Sequence, residues 1–168
     1  MITDYAAAYY EKEIDKFVRH LEDFTGNSLT EANLRHAIEV YNENRRLLRE
    51  IYDLRKAETP PINGIETLNI VRSTTILPKE KSNTLLKKVL KALRTRRIDP
   101  SSVEGRPRML ITGIILDNSA LVQQVEDAGA IVVADDLCVG SRYFWDMVDL
   151  NGINHPLKSL TGCYLGKI

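Results

Sequence analysis

Cysteine is the scarcest reactive residue type in this chain, and one of its two copies, Cys138, stands in the run DDLCVGSRYFW. Asp135 and Asp136 precede the thiol, and Gly140, Ser141, Arg142 and Tyr143 follow it, placing a tight turn and several hydrogen-bond donors beside the sulfur. A thiolate is a soft ligand that selects zinc, copper(I) or iron–sulfur clusters. A neighbouring arginine favours the thiolate, and neighbouring acids oppose it unless they cap a helix start or pair with Arg142. Sites for those metals take three or four protein ligands. No CxxC is present, however, and Cys163 lies 25 residues further on. On residue types alone a buried or half-buried structural cysteine is therefore favoured over a ligand, because free cysteine is among the most buried side chains.

The elements that must position Cys138 are legible in residues 107–147. A strand from Arg108 to Thr112 leads to a turn at Gly113. An amphipathic helix follows, opened by Asn118 or Ser119, with Leu121, Val122, Val125 and Ala128 on one side. Ala128-Gly129 stops it where positive φ is wanted. A second strand runs from Ala130 to Ala134, and a polar loop then holds Asp135, Asp136 and Cys138. The short apolar runs suit strands buried on both faces. Strand, helix and strand over about 30 residues make a βαβ unit, with parallel strands and a right-handed crossover. Ligands of such sheets bind beyond the carboxyl ends of the strands, where Cys138 falls.

Upstream, apolar positions at Tyr10, Ile14, Phe17, Val18, Leu21 and Phe24 predict a helix over 5–24. A longer helix follows from Thr30 to Lys56, with Leu34, Ala37, Ile38, Tyr41, Leu48, Ile51 and Tyr52 on its packed face, and the two make an antiparallel pair. Pro60-Pro61 and Asn63-Gly64 mark a turn. Ile65 to Leu77 reads as a helix despite its β-branched residues, and Leu85 to Leu93 as another. Asp99 to Pro107 is a loop or linker. Asp146 to Asn154 reads as the end of a short helix and a loop, and a last helix begins at His155-Pro156. The fold class is α/β: a helical hairpin region over 1–100, then over 101–168 a partial domain, a Rossmann-like βαβ parallel-sheet unit. Two parallel strands rarely make a stable buried sheet alone. Further strands must come from a segment that reads as something else, or the chain is part of a larger subunit.

Composition narrows the function classes. At 43% hydrophobic and 27% charged residues, the chain reads as a soluble globular protein. Residues 1–100 carry a net +3 and residues 101–168 a net −3, too mild a split for a nucleic-acid surface. The absence of a spanning apolar run or a signal peptide leads to the expectation of a cytoplasmic protein. His20 and His36 read as surface groups and His155 as a helix start, so the histidines make no metal site. The TGIILDN turn has one glycine, which excludes the dinucleotide fingerprint. Arg45, Arg46 and Arg49 alternate with acids and read as a solvated helix face. Tyr143, Phe144 and Trp145 read as a packing wedge.

In order, the TG turn, the helix, EDAGA, VVADDLC and GSRYF resemble the D-component (β-type) subunits of the 2-hydroxyacyl-CoA dehydratase and ATP-dependent benzoyl-CoA reductase family. LEDFTGNSLTEANLRHAIEVYNENRRLLREIYDLRK is similar to that family's central helical section, and PPINGIE to the turn after it. The resemblance implies an oxygen-sensitive [4Fe-4S] protein that pairs with a related second subunit. It also implies an ATP-hydrolysing activator protein that delivers a low-potential electron, used on an acyl-CoA thioester. By the same resemblance Cys138 is a cluster ligand, with the Gly140 and Ser141 amides and Arg142 as supporting donors. The family's other ligand cysteines have no counterpart here, so the expectation is the central portion of a longer subunit that binds little iron and is inactive alone. The competing reading is a non-catalytic assembly module in which Cys138 is structural. A thiol-redox role is weak without a nearby resolving cysteine.

Overall fold

The protein is described by a computed structural model that covers residues 4–116, 118–151 and 155–165. Asn154, expected in a loop, lies outside the described residues. Two compact units emerge: residues 1–42 with 147–168, and residues 43–146.

In the first unit, helix α1 (Asp4–Thr25) packs against the C-terminal helix α7 (Pro156–Leu165). Gly26, at φ +68°, ends α1 where the sequence expects it. The apolar period of α1 is real and the predicted helix forms, yet Phe17, Leu21 and Phe24 along it are exposed. Periodicity marks a face; it does not supply the surface that covers it. The long helix α2 (Glu31–Asp53) begins here, and Asn42 binds the backbone of Val148 through both ends of its amide, at 2.7 and 3.0 Å.

The second unit carries the sheet. The later turns of α2 and the 3-10 turn Leu54–Lys56 lead to α3 (Gly64–Ile76) and α4 (Lys79–Thr95). Strand β1 (Arg108–Thr112), helix α5 (Ala120–Asp127), strand β2 (Ile131–Asp136) and the short helix α6 (Ser141–Phe144) complete it. Helix α3 forms despite its β-branched run because both problems of such a helix are solved locally. Asn63 and Glu66 close a capping box at its start. The hydroxyls of Thr67, Ser73, Thr74 and Thr75 donate to carbonyls three or four residues back, within the helical hydrogen-bond pattern.

A core of Leu47, Leu48, Ile51, Tyr52, Ile62, Val71, Leu86, Leu90, Leu93 and Phe144 joins α2, α3, α4 and α6. Phe144 is fully buried against Tyr52, which bears out the packing wedge, although Trp145 stays half exposed. Asn44, also buried, donates to Ser82 and Asn83 of α4, so its desolvated amide is satisfied. A smaller cluster of Leu68, Val122, Val132 and Leu137 packs α3 and α5 onto β2.

The βαβ unit forms as the sequence reads. The strands are parallel, with one register shift where Met109 and Leu110 pair with Val132 and Ala134, leaving Val133 as an inserted residue. Asn118 accepts from the Ala120 amide at 2.9 Å to open α5, and Gly129 closes it at φ +98°. Two expectations need correction. First, β2 continues through Asp135 and Asp136, which pair with Ile111 and Thr112, so the acids end a strand and do not start a loop. Second, β1 is not buried on both faces: of its five residues only Ile111 is partly buried, packed on the cluster around Leu68, while the Arg108 guanidinium donates to the carbonyls of Arg55 and Ala57.

Candidate functional site

Beyond the strand ends the two segments remain joined for one more step. The Gly113 amide donates to Asp136 O at 3.2 Å, and the Cys138 amide to Ile114 O at 2.8 Å. This holds Cys138 at the carboxyl end of the sheet, with its side chain exposed. The favoured reading from residue types, a buried or half-buried cysteine, is overturned. The sequence carried no sign that the segment after β2 leaves the core at Leu137 and returns only at Gly140.

The two acids divide the roles that the sequence left open. Asp136 pairs with Arg142 through two contacts, Nε to Oδ1 at 2.6 Å and a terminal nitrogen to Oδ2 at 2.5 Å. The guanidinium also donates to Gly113 O at 3.3 Å and lies 3.9 Å from Cys138 Sγ. Hydrogen bonding from Arg142, joined by its charge, holds the Asp136 carboxyl below its ordinary 3.8; burial opposes this only partly. The same pair and the bond to Cys138 hold the Arg142 guanidinium above its already high value.

Asp135 turns the other way. Its Oδ1 accepts from the Ser141 amide at 2.8 Å, at the start of α6, and its carbonyl accepts from Ser141 Oγ at 2.7 Å. Its Oδ2 meets Arg55 at 3.0 Å. Arg55 is only 1% exposed, stacks 4.6 Å from the Tyr52 ring centre and donates to Val132 O at 2.9 Å. Tyr52 accepts from the Asp135 amide at 2.6 Å and donates to its carbonyl at 3.0 Å. Burial, set against the hydrogen bond with the Asp135 backbone, pushes the Tyr52 phenol above its ordinary 10.0. Gly140 packs so closely on Asp135 that no Cβ fits. Its amide donates to Leu137 O, closing the turn that carries Cys138.

Of the residues singled out from sequence, Cys138, Gly140, Ser141 and Arg142 thus lie in one turn. Only Arg142 approaches the sulfur, while the Gly140 and Ser141 amides are engaged within the turn. Sequence reasoning missed Arg55 and Tyr52 as its supports. The signal was available in phase: Leu48, Tyr52 and Arg55 follow at four and three residues, which puts the arginine on the packed face. The same phase buries Arg45, and Arg49 lies 5.3 Å from the Trp145 ring centre, so the solvated-face reading holds only for Arg46, paired with Glu43 and Glu50. Chemically the turn offers one accessible soft donor beside a guanidinium that is fixed by an acid. Among the described residues no three His, Cys, Asp or Glu side chains gather into a metal site.

The Asp136 pair gives a test of this geometry. A carboxyl whose pKa is depressed in the fold stabilises it above the unfolded value, and the contribution fades as pH falls through the folded pKa. Carbon-detected NMR titration should put the Asp136 midpoint below 3.8 in the native chain and return it toward that value in Arg142→Met. An unchanged midpoint in the variant would mean that another group holds the carboxyl.

Residues 2–168 match the family profile described as 2-hydroxyglutaryl-CoA dehydratase, D-component. A benzoyl-CoA reductase subunit of Thauera aromatica is 28% identical over 164 residues, covering 96% of this chain and 41% of that protein. The (R)-phenyllactyl-CoA dehydratase beta subunit of Clostridium sporogenes is 26% identical over 127 residues, covering 76% and 33%. The (R)-2-hydroxyglutaryl-CoA dehydratase beta subunit of Acidaminococcus fermentans is 25% identical over 125 residues, covering 74% and 32%. The chain therefore spans between 32 and 41% of the length of these three relatives. No helix among the described residues is long and apolar enough to cross a membrane.

Proposed function

This chain belongs to the 2-hydroxyglutaryl-CoA dehydratase D-component family, and we propose that it supplies one thiolate, that of Cys138, to an iron–sulfur centre of a dehydratase or reductase acting on acyl-CoA thioesters. The observation that carries the reading is the placement of Cys138: exposed at the carboxyl ends of two parallel strands, with the Arg142 guanidinium 3.9 Å from its sulfur. A cysteine kept only for packing would face the core.

The residues described do not make a cluster site by themselves. A [4Fe-4S] cluster is held by four cysteine thiolates, and here a single sulfur is presented with no metal-binding group of three around it. The remaining ligands come from other parts of the assembly. A cluster, when bound, supplies a low-potential electron. What this chain contributes is the position of one ligand, through Gly140 and the turn that Asp135 organises, and a hydrogen-bond donor, Arg142. Donors to cluster sulfur and ligand raise a reduction potential, and Arg142 tunes the centre in that direction. In this reading the chain works in the cytoplasm, beside a related second subunit and an ATP-hydrolysing activator.

The test is Cys138→Ser in the anaerobically prepared, complete assembly, read by iron per subunit, visible absorption and turnover of acyl-CoA. Loss of iron, of the thiolate-to-iron band and of turnover is expected. Unchanged iron and turnover would overturn the assignment and leave the chain as an assembly module. The isolated chain is expected to bind little iron.

A further inference from the structure

Positive charge is concentrated in α4 and the residues just after it. Between Glu80 and Asp99 the sequence holds seven lysines and arginines and no acid. Because the whole chain is neutral, the rest of it carries an equal surplus of acid. Like charges three or four residues apart on a helix repel, and α4 sets Lys87 and Lys88 against Lys91, and Lys91 against Arg94. On α2, by contrast, Arg46 lies between Glu43 and Glu50 and pairs with both. A helix face kept only for solubility gains from such alternation, and α4 lacks it.

Neighbouring helices relieve this charge only on the flanks. Glu43 and Glu50 of α2 reach Lys87 at 3.1 Å and Arg94 at 2.8 Å, and Glu66 of α3 reaches Arg96 at 2.8 Å. The helix buries Ser82, Leu86, Leu90 and Leu93. At about 100° per residue this turns Lys81, Thr84, Lys88, Lys91, Ala92 and Thr95 outward, and all six are exposed. Among the described residues no carboxylate pairs with Lys81, Lys88 or Lys91. Leu85, 41% exposed, borders the same stripe. The 17 residues of α4 make a ridge about 25 Å long. A nucleic acid or an anionic membrane reaches past such a ridge and meets the acidic surplus of the rest of the chain, whereas a single acidic helix matches its length. Arg94 and Arg96, whose guanidinium groups could grip phosphate through paired bonds, are already held by Glu50 and Glu66. The ammonium groups that remain suit single carboxylates.

We propose that the outer face of α4 docks an acidic amphipathic helix of a partner protein, with carboxylates at seven- and three-residue intervals meeting Lys81, Lys88 and Lys91, and apolar side chains meeting Leu85 and Ala92. Complementary charge of this kind steers the encounter and sets partner choice more than it sets tightness. The binding is therefore salt-sensitive.

The experiment titrates the full isotope-labelled chain with a synthetic helical peptide that carries glutamates at those intervals and leucines beside them, and follows amide shifts by NMR. Shifts confined to residues 81–95 are expected, with the dissociation constant rising severalfold between about 50 and about 150 mM salt. Lys88→Glu combined with Lys91→Glu should weaken binding by about tenfold or more. Both side chains are exposed, so the fold should survive, and unchanged α3 amide positions in the variant spectrum verify that it does. Should the double reversal unfold the chain, Lys88→Gln with Lys91→Gln removes the charge without reversing it and should still weaken binding. The same peptide with glutamine for every glutamate should not bind. Absence of shifts along α4, equal binding of the glutamine peptide, or equally tight binding of a DNA duplex or of phosphatidylserine vesicles overturns the proposal. Because neither metal nor thiol enters the readout, failure here is separate from failure of the Cys138 assignment.

Discussion

Replacing Arg55 with methionine should destabilise the unit formed by residues 43–146 by about 3–5 kcal/mol, the cost of breaking a buried ion pair by removing one partner. Arg55 is 1% exposed and bridges two groups that no water reaches easily, the Asp135 carboxylate and the Val132 carbonyl. Methionine fills similar volume but donates nothing, so a carboxylate and a carbonyl are stranded together. Chemical denaturation should show the loss as a lower midpoint with unchanged slope. The double variant Arg55→Met with Asp135→Asn should recover much of it, because the stranded charge is gone while an amide oxygen can still accept from Ser141. A single-variant loss under about 1 kcal/mol would show that Asp135 finds solvent or another donor, and that the support assigned to Arg55 is spurious.

Gly140→Ala should cost about 2–4 kcal/mol, combining overpacking with the loss of a charge-assisted hydrogen bond. A Cβ at this position would overlap Asp135 Oδ1 and sit 3.0 Å from Leu137 Cβ, a clash that only movement of the carboxylate or the turn relieves. Gly140 has φ −145°, so the requirement is space and not a left-handed backbone. The Ser141 amide, which donates to Asp135 Oδ1, should exchange faster in the variant, and Cys138 should lose its fixed position at the strand ends. In the complete assembly the same variant should lower iron content with the thiol still present, which separates placement of the ligand from its identity. Normal stability and normal Ser141 protection would contradict the packing described.

Much of the architecture is set locally, and locally set features are the ones that residue order displays. The capping box at Asn63 and Glu66 and the stop at Gly129 each depend on residues within a few positions of one another. The family blocks, from PPINGIE to VVADDLC, were legible for the same reason, and the family match bears them out. Residue order was therefore sufficient to say which segments become helix or strand and to which family the chain belongs.

The environment of the thiol depended instead on long-range packing. Arg55 and Tyr52 reach Asp135 from 80 and 83 residues away, and no local pattern states that an arginine on a packed helix phase will close one sheet edge. The exposure of Cys138 and of β1 was likewise invisible, because hydrophobic periodicity specifies which side of an element avoids water but not whether a covering surface exists. Tyr52 of α2, Arg55 of the turn after it and Glu126 of α5 take up the backbone groups of Val132 and Asp135 on one side of β2, while the sulfur beyond the end of the strand stays exposed.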